Sequence, residues 1–149
     1  MENRALEIIP DTIVTMAAQK LNEVKALLAP YLQTLTAGER KKLLKMSNQS
    51  FGFVTKAVQY CQQNPQFIPG YIEFDKLNND YGVMAAIRPL FETCTQLQSD
   101  LDDTAMRAGS DAFSQCLLYY YNVEMAAGKG EQVATPIMED LTERFFGVI

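Results

Sequence analysis

The side chains with the most potential for chemistry are the carboxylates of Asp100, Asp102, Asp103 and Asp111, grouped around Arg107. Such oxygens can hold a hard cation, but a calcium loop sets its ligands at alternating positions around a glycine turn, and this cluster has neither feature. Asp103 and Asp111 each stand four residues from Arg107, the spacing at which opposite charges pair along a helix. The cluster is therefore expected to be an ion-paired helix face. The three cysteines, Cys61, Cys94 and Cys116, are far apart. Each falls on an apolar stripe of helical period, so they are expected to be free, buried small hydrophobes. Gly128 and Gly130 follow no strand and open no phosphate-binding helix. Tyr119, Tyr120 and Tyr121 sweep about 200° of a helix, since consecutive positions differ by about 100°. Tyr119 is expected on the packed seam, with a neighbour at its margin, at an interface or over a pocket.

The chain contains no histidine. Ser-His and Cys-His nucleophile pairs, imidazole bases and imidazole metal ligands are thereby excluded, as are the Glu-x-x-His pairs of di-iron bundles. The residues point to no catalytic group, no cofactor and no metal. A net charge of −5 argues against a nucleic-acid partner. The one dense basic run, Arg40-Lys41-Lys42 with Lys45, is short and is expected to be a solvated helix face. No apolar run reaches the ~18–20 residues of a membrane span. Met1-Glu2-Asn3-Arg4 lacks a signal peptide's basic start and apolar core. A cytoplasmic protein is the expectation.

These side chains must be positioned by helices. The spacing predicts an all-α chain: one domain over 1–149, with a lead-in at 1–10 and an antiparallel bundle of four to five helices. Asp11 is expected to cap a first helix reaching about Leu32, with Val14, Leu21 and Leu28 seven apart and Ala17, Val24 and Tyr31 between them. Thr36-Ala37-Gly38-Glu39 has the form of a capping box and should open a short helix through Leu44. Ser47 or Asn48 should cap the next, which stops at Asn64 before Pro65. The loop 65–73 is expected to be pinned over one end of the core by Phe67, Ile68, Tyr71 and Ile72.

The organising stretch begins near Asp75. Val83, Leu90, Leu97 and Thr104 fall seven apart, interleaved with Ile87, Cys94, Leu101 and Ala108. That alternation is the seam of a helix packed lengthwise on other helices. Pro89 lies within it and should kink it. Gly109-Ser110 is read as a terminator and a cap, with an unbroken helix to Ala127 or a turn near 99–102 as alternatives. A fourth helix, about 111–127, should pack Ala112, Cys116, Tyr119, Val123 and Ala126. Thr135-Pro136 should open a last helix with Ile137, Leu141 and Phe145 inward and Gly147 at its end.

Leu35-Thr36-Ala37-Gly38-Glu39-Arg40, Lys45-Met46, Phe53-Val54, Arg88-Pro89-Leu90 and Asp103-Thr104 with Gly109-Ser110 resemble a family of small bacterial helical-bundle proteins that has no assigned activity. The resemblance covers roughly residues 30–146. It implies a helical bundle and supplies no catalytic residues. Similar sequences carry a proline and a glycine where this chain has Leu44 and Ser47, which implies a helix break there.

The functional expectation is a non-enzymatic protein acting through protein–protein contacts. The alternative is a small-molecule-binding bundle, or an enzyme working through carboxylates and tyrosines in a pocket between helices. Phe113, Leu117 and Tyr120 form a second stripe, about 100° from the one through Cys116 and Tyr119, with Tyr121 beside it. Exposed, it would make a patch of the size that marks an interaction site. These four residues are the candidate interface of an expected homodimer.

Overall fold

The computed structural model describes residues 6–147, so the reading of Met1-Glu2-Asn3-Arg4 lies outside the described residues. The fold is all-α. Five helices follow in order: α1 (Asp11–Leu28), α2 (Ala37–Lys42), α3 (Asn48–Gln63), α4 (Phe74–Gly128) and α5 (Ala134–Phe146). The chain forms two compact units, Met1–Arg88 and Pro89–Ile149.

In the first unit, helix starts follow local polar chemistry. Pro10 occupies the N-cap of α1 and no side chain caps it, so Asp11 is the first helical residue and not the expected cap. α2 opens on the full capping box. The Glu39 amide donates to Thr36 Oγ1 at 3.2 Å. The Glu39 carboxylate accepts from the Thr36 amide at 2.7 Å and from its hydroxyl at 2.9 Å. These donors, the amide foremost, hold the Glu39 carboxyl below its ordinary value. A depressed carboxyl favours the folded turn above its unfolded pKa, and that contribution is lost as pH falls through the folded one. Ser47 caps α3, accepting from the Ser50 amide at 3.2 Å. α3 ends before Pro65, and a 3-10 turn, Pro65–Phe67, follows.

α3 packs antiparallel on the start of α4. Gln62 donates to Asn78 at 3.2 Å, Tyr81 to Thr55 at 3.3 Å and Arg88 to Asn48 at 2.7 Å. The Arg88 guanidinium lies 4.1 Å from the centre of the Phe51 ring, a cation–π contact. On the part of α4 in this unit the half-buried residues are Phe74, Leu77, Tyr81, Met84, Ala85 and Arg88, a stripe of helical period. Val58 of α3, 3% exposed, is the one buried residue described in this unit. The seam positions Val83 and Ile87 lie off that stripe and are exposed. α1 is exposed along its length except at Leu28, which is half-buried. The loop after α3 is not pinned as expected. Phe67 is 80% and Tyr71 89% exposed, and among its four apolar side chains only Ile68 is half-buried.

In the second unit α4 runs through Gly109 without a break, which corrects the expected terminator there. Gly109 is helical and has nothing within 4 Å of where a Cβ would stand. It thus meets neither the left-handed backbone nor the close approach that makes glycine end a helix. α4 instead ends at Gly128, and the chain turns through Gly130, whose φ of 88° lies in the left-handed region. The Glu131 amide closes this turn on the Ala126 carbonyl at 3.2 Å. α5 begins at Ala134, with Val133 at its N-cap and no side-chain cap, two residues ahead of the expected Thr135 cap and Pro136 start. The unit's described buried residues are Val123 (8% exposed) and Ala134 (7%), where the α4–α5 hairpin closes. Every residue from 89 to 116 is exposed, including Leu90, Leu97 and Leu101 of the seam.

The cysteines are free, but Cys61 is half-buried and Cys94 and Cys116 are exposed. Their expected burial fails for Cys94 and Cys116, whose neighbours at 89–116 are exposed as well.

Continuity of α4 at Gly109 has a measurable sign. Gly109→Ala should stabilise the protein by about 0.5–1 kcal/mol, the usual cost of glycine in an exposed helix interior, read by thermal or urea unfolding. A destabilised variant would indicate a left-handed break at this position.

Candidate functional site: the groove between α4 and α5

The short connection after Gly128 returns α5 antiparallel along the end of α4, and the shape of the groove follows from that hairpin. Leu117, Tyr120, Val123, Ala126 and Ala127 of α4 are partly or fully covered, as are Ala134, Ile137, Met138, Leu141 and Thr142 of α5. The Tyr120 hydroxyl lies 2.8 Å from Thr142 Oγ1. Thr142 gives its single proton to the Met138 carbonyl at 2.7 Å. Tyr120 is therefore the donor and Thr142 both accepts and donates. Toward the open end the Phe113 and Phe145 rings stack with centroids 6.1 Å apart, and Phe146 meets Phe145 edge-on at 5.2 Å.

Between these contacts lies an open groove of about 620 Å³. Its walls are Phe113, Cys116, Leu117, Tyr119, Leu141 and Phe145, with Tyr120 and the Arg144 side chain also bordering it. Arg144 sits with its Nε 3.2 Å from both oxygens of Asp140, four residues back. The surface is apolar, with one paired cation at the rim. Cys116 is its only thiol, and no base lines the groove to activate it. Chemically the groove is suited to apolar side chains or an apolar ligand.

Of the four residues expected at an interface, Leu117 and Tyr120 are half-buried and Phe113 is stacked on Phe145. α5 of the same chain thus meets this stripe. Tyr121 touches the Tyr120 ring at 5.8 Å and remains exposed. The stripe expected to pack is covered only at its far end: Val123 and Ala126 are covered as expected, whereas Cys116 and Tyr119 are exposed on the groove wall and Tyr120, of the second stripe, meets α5. Thr142 escaped sequence reading. The hairpin supplies its signal, because a short turn pairs positions whose numbers sum to a near-constant value, which sets Tyr120 against Thr142. Elsewhere a smaller groove of about 310 Å³ in the first unit is lined by Tyr60, Cys61, Asn64, Phe67 and Ile68. Among the described residues, no group of three or more His, Cys, Asp or Glu side chains is placed to hold a metal ion. No helix among them is long and apolar enough to cross a membrane.

No family model, no curated protein and no solved structure matches this chain.

The Tyr120 hydroxyl ties α5 to α4 in a partly covered setting. Tyr120→Phe should cost about 0.5–1.5 kcal/mol, the net worth of one such bond, and speed amide exchange in residues 134–146. Unchanged exchange there would show that the aromatic stack alone docks α5.

Proposed function

We propose that this chain is a non-enzymatic helical protein that works through protein–protein contact and associates with a second copy of itself. The observation that carries the reading is residues 89–116 of α4, which hold an apolar seam of helical period with every side chain exposed. A helix in water draws most of its stability from burying such a face. This stretch has little else to hold it, because Thr93, Thr95, Ser99, Thr104, Gly109 and Ser110 are all weak helix formers.

A place among small bacterial helical bundles, as implied by the resemblance at Leu35–Arg40 and Arg88–Leu90, is compatible with this reading. The α4–α5 groove favours a second one, in which an apolar small molecule sits between Phe113, Leu117, Leu141 and Phe145.

Native mass spectrometry and light scattering at micromolar concentration separate the two. Self-association gives twice the 16.7 kDa chain mass, with no additional bound mass. A single chain carrying a small molecule supports the second reading, and a bare single chain contradicts both.

A further inference from the structure

The charge of this chain is unevenly distributed. Residues 24–72 hold six of its 13 Lys and Arg and one of its 18 Asp and Glu, a net charge of +5 in a chain whose total is −5, so the remaining residues carry −10. Four of those cations, Arg40, Lys41, Lys42 and Lys45, stand no more than about 18 Å apart, the reach of five extended residues. All four are exposed, and among the described residues none of them is in an ion pair. The one acid of the span, Glu39, is turned back on Thr36 as its capping-box partner. The run is solvated, as expected, but it is more than a helix face. α2 ends at Lys42, and Lys45 stands in the connection to α3.

Two leucines share that connection. Leu43 and Met46 are exposed, and Leu44 is 102% exposed, as open as in an extended peptide. The backbone is extended at Leu43 and at Ser47, and residues 44–47 form no regular structure. Leu44 therefore projects between the Arg40–Lys42 cations and Lys45 and buries none of its surface against the chain. We propose that the segment 40–46 docks on an anionic lipid bilayer, its four cations at the headgroups and Leu43 and Leu44 inserted at the acyl boundary. The inference goes beyond self-association and does not depend on it.

Charge complementarity restricts the occupant to an anion-bearing surface. α1 does not supply one, because its Asp11 and Glu23 are balanced by Lys20 and Lys25. The leucines choose among anionic surfaces. A nucleic acid gains affinity from phosphate contacts and from stacking on aromatic rings, and residues 32–50 contain no aromatic side chain. An acidic protein would need a pocket shaped to each projecting leucine. A bilayer interface yields to any apolar side chain and takes the flanking cations at headgroup level. One short apolar contact or a few cations alone bind a membrane weakly, and the combination of the two holds a peripheral protein. Along the chain the next acids on either side of Glu39 are Glu23 and Glu73. Screening over about 8 Å at physiological salt lets a dense run act through its own charge.

The test is co-sedimentation of the full chain with vesicles of phosphatidylcholine alone, and with vesicles of phosphatidylcholine and phosphatidylserine in roughly 2:1 proportion. The chain should sediment with the mixed vesicles only. Lys41→Gln combined with Lys42→Gln should weaken that binding about 20–30-fold, since each cation near an anionic surface is worth about fivefold. Leu44→Ser should weaken it about tenfold at unchanged charge. Because Leu44 buries nothing in the chain, the thermal unfolding of this variant should not move, which keeps loss of binding apart from loss of fold. Failure to sediment with the mixed vesicles overturns the proposal. Binding that Leu44→Ser leaves intact overturns the insertion and reduces the segment to a general anion-binding run. A lysine variant that changes the mass seen by light scattering without vesicles assigns the segment to a second copy, which also overturns it. The self-association reading is judged by the vesicle-free mass of the wild type, so the two fail separately.

Discussion

A helix in water persists mainly by burying one face, and everything in this chain turns on how α4 meets that requirement. Its first turns do so against α3, through Tyr81, Met84 and Arg88. Its last turns do so against α5, through Leu117, Tyr120 and Val123. Between them, residues 89–116 carry an apolar seam whose side chains are exposed. The described residues hold three buried hydrophobic side chains in all, Val58, Val123 and Ala134, too few to offset the ordering entropy of a chain this long.

This constraint explains which features were legible in the sequence. Thr36 and Glu39, Ser47, and Asn64 before Pro65 act through bonds within a few residues, and the structure places helix boundaries at them. The all-α class follows from the 3-4 alternation of apolar residues, which is also local. What a stripe faces is a long-range property, and there the reading strayed. Tyr119 and Tyr120 differ by one position, and only the return of α5 decides which of them turns inward. Cys94 and Cys116 sit among apolar neighbours along their helix, yet periodicity cannot say whether the opposite wall belongs to the same chain. Gly109 misled for another reason. Glycine marks a helix end when the backbone turns left-handed, as at Gly130, and a glycine that merely weakens a helix looks the same in sequence.

The candidate site shows the same division. The aromatic content of 113–121 pointed to a surface of interest, and the structure does gather Phe113, Leu117 and Tyr120 there. Its partner side chains, Leu141, Thr142 and Phe145, enter from a helix whose register is fixed by the turn at Gly130. The chemistry fits a binding surface. The walls are apolar, the one cation is paired with Asp140, and the lone thiol of Cys116 has no base beside it.

Backbone amide exchange across residues 89–116, followed as a function of protein concentration, tests most directly whether α4 depends on a second copy. Protection in this stretch should fall steeply over about a hundredfold dilution, while that of the α4–α5 hairpin near Val123 and Ala134 stays constant. Protection at 89–116 that is strong and independent of concentration in a monomeric chain would contradict the dependence.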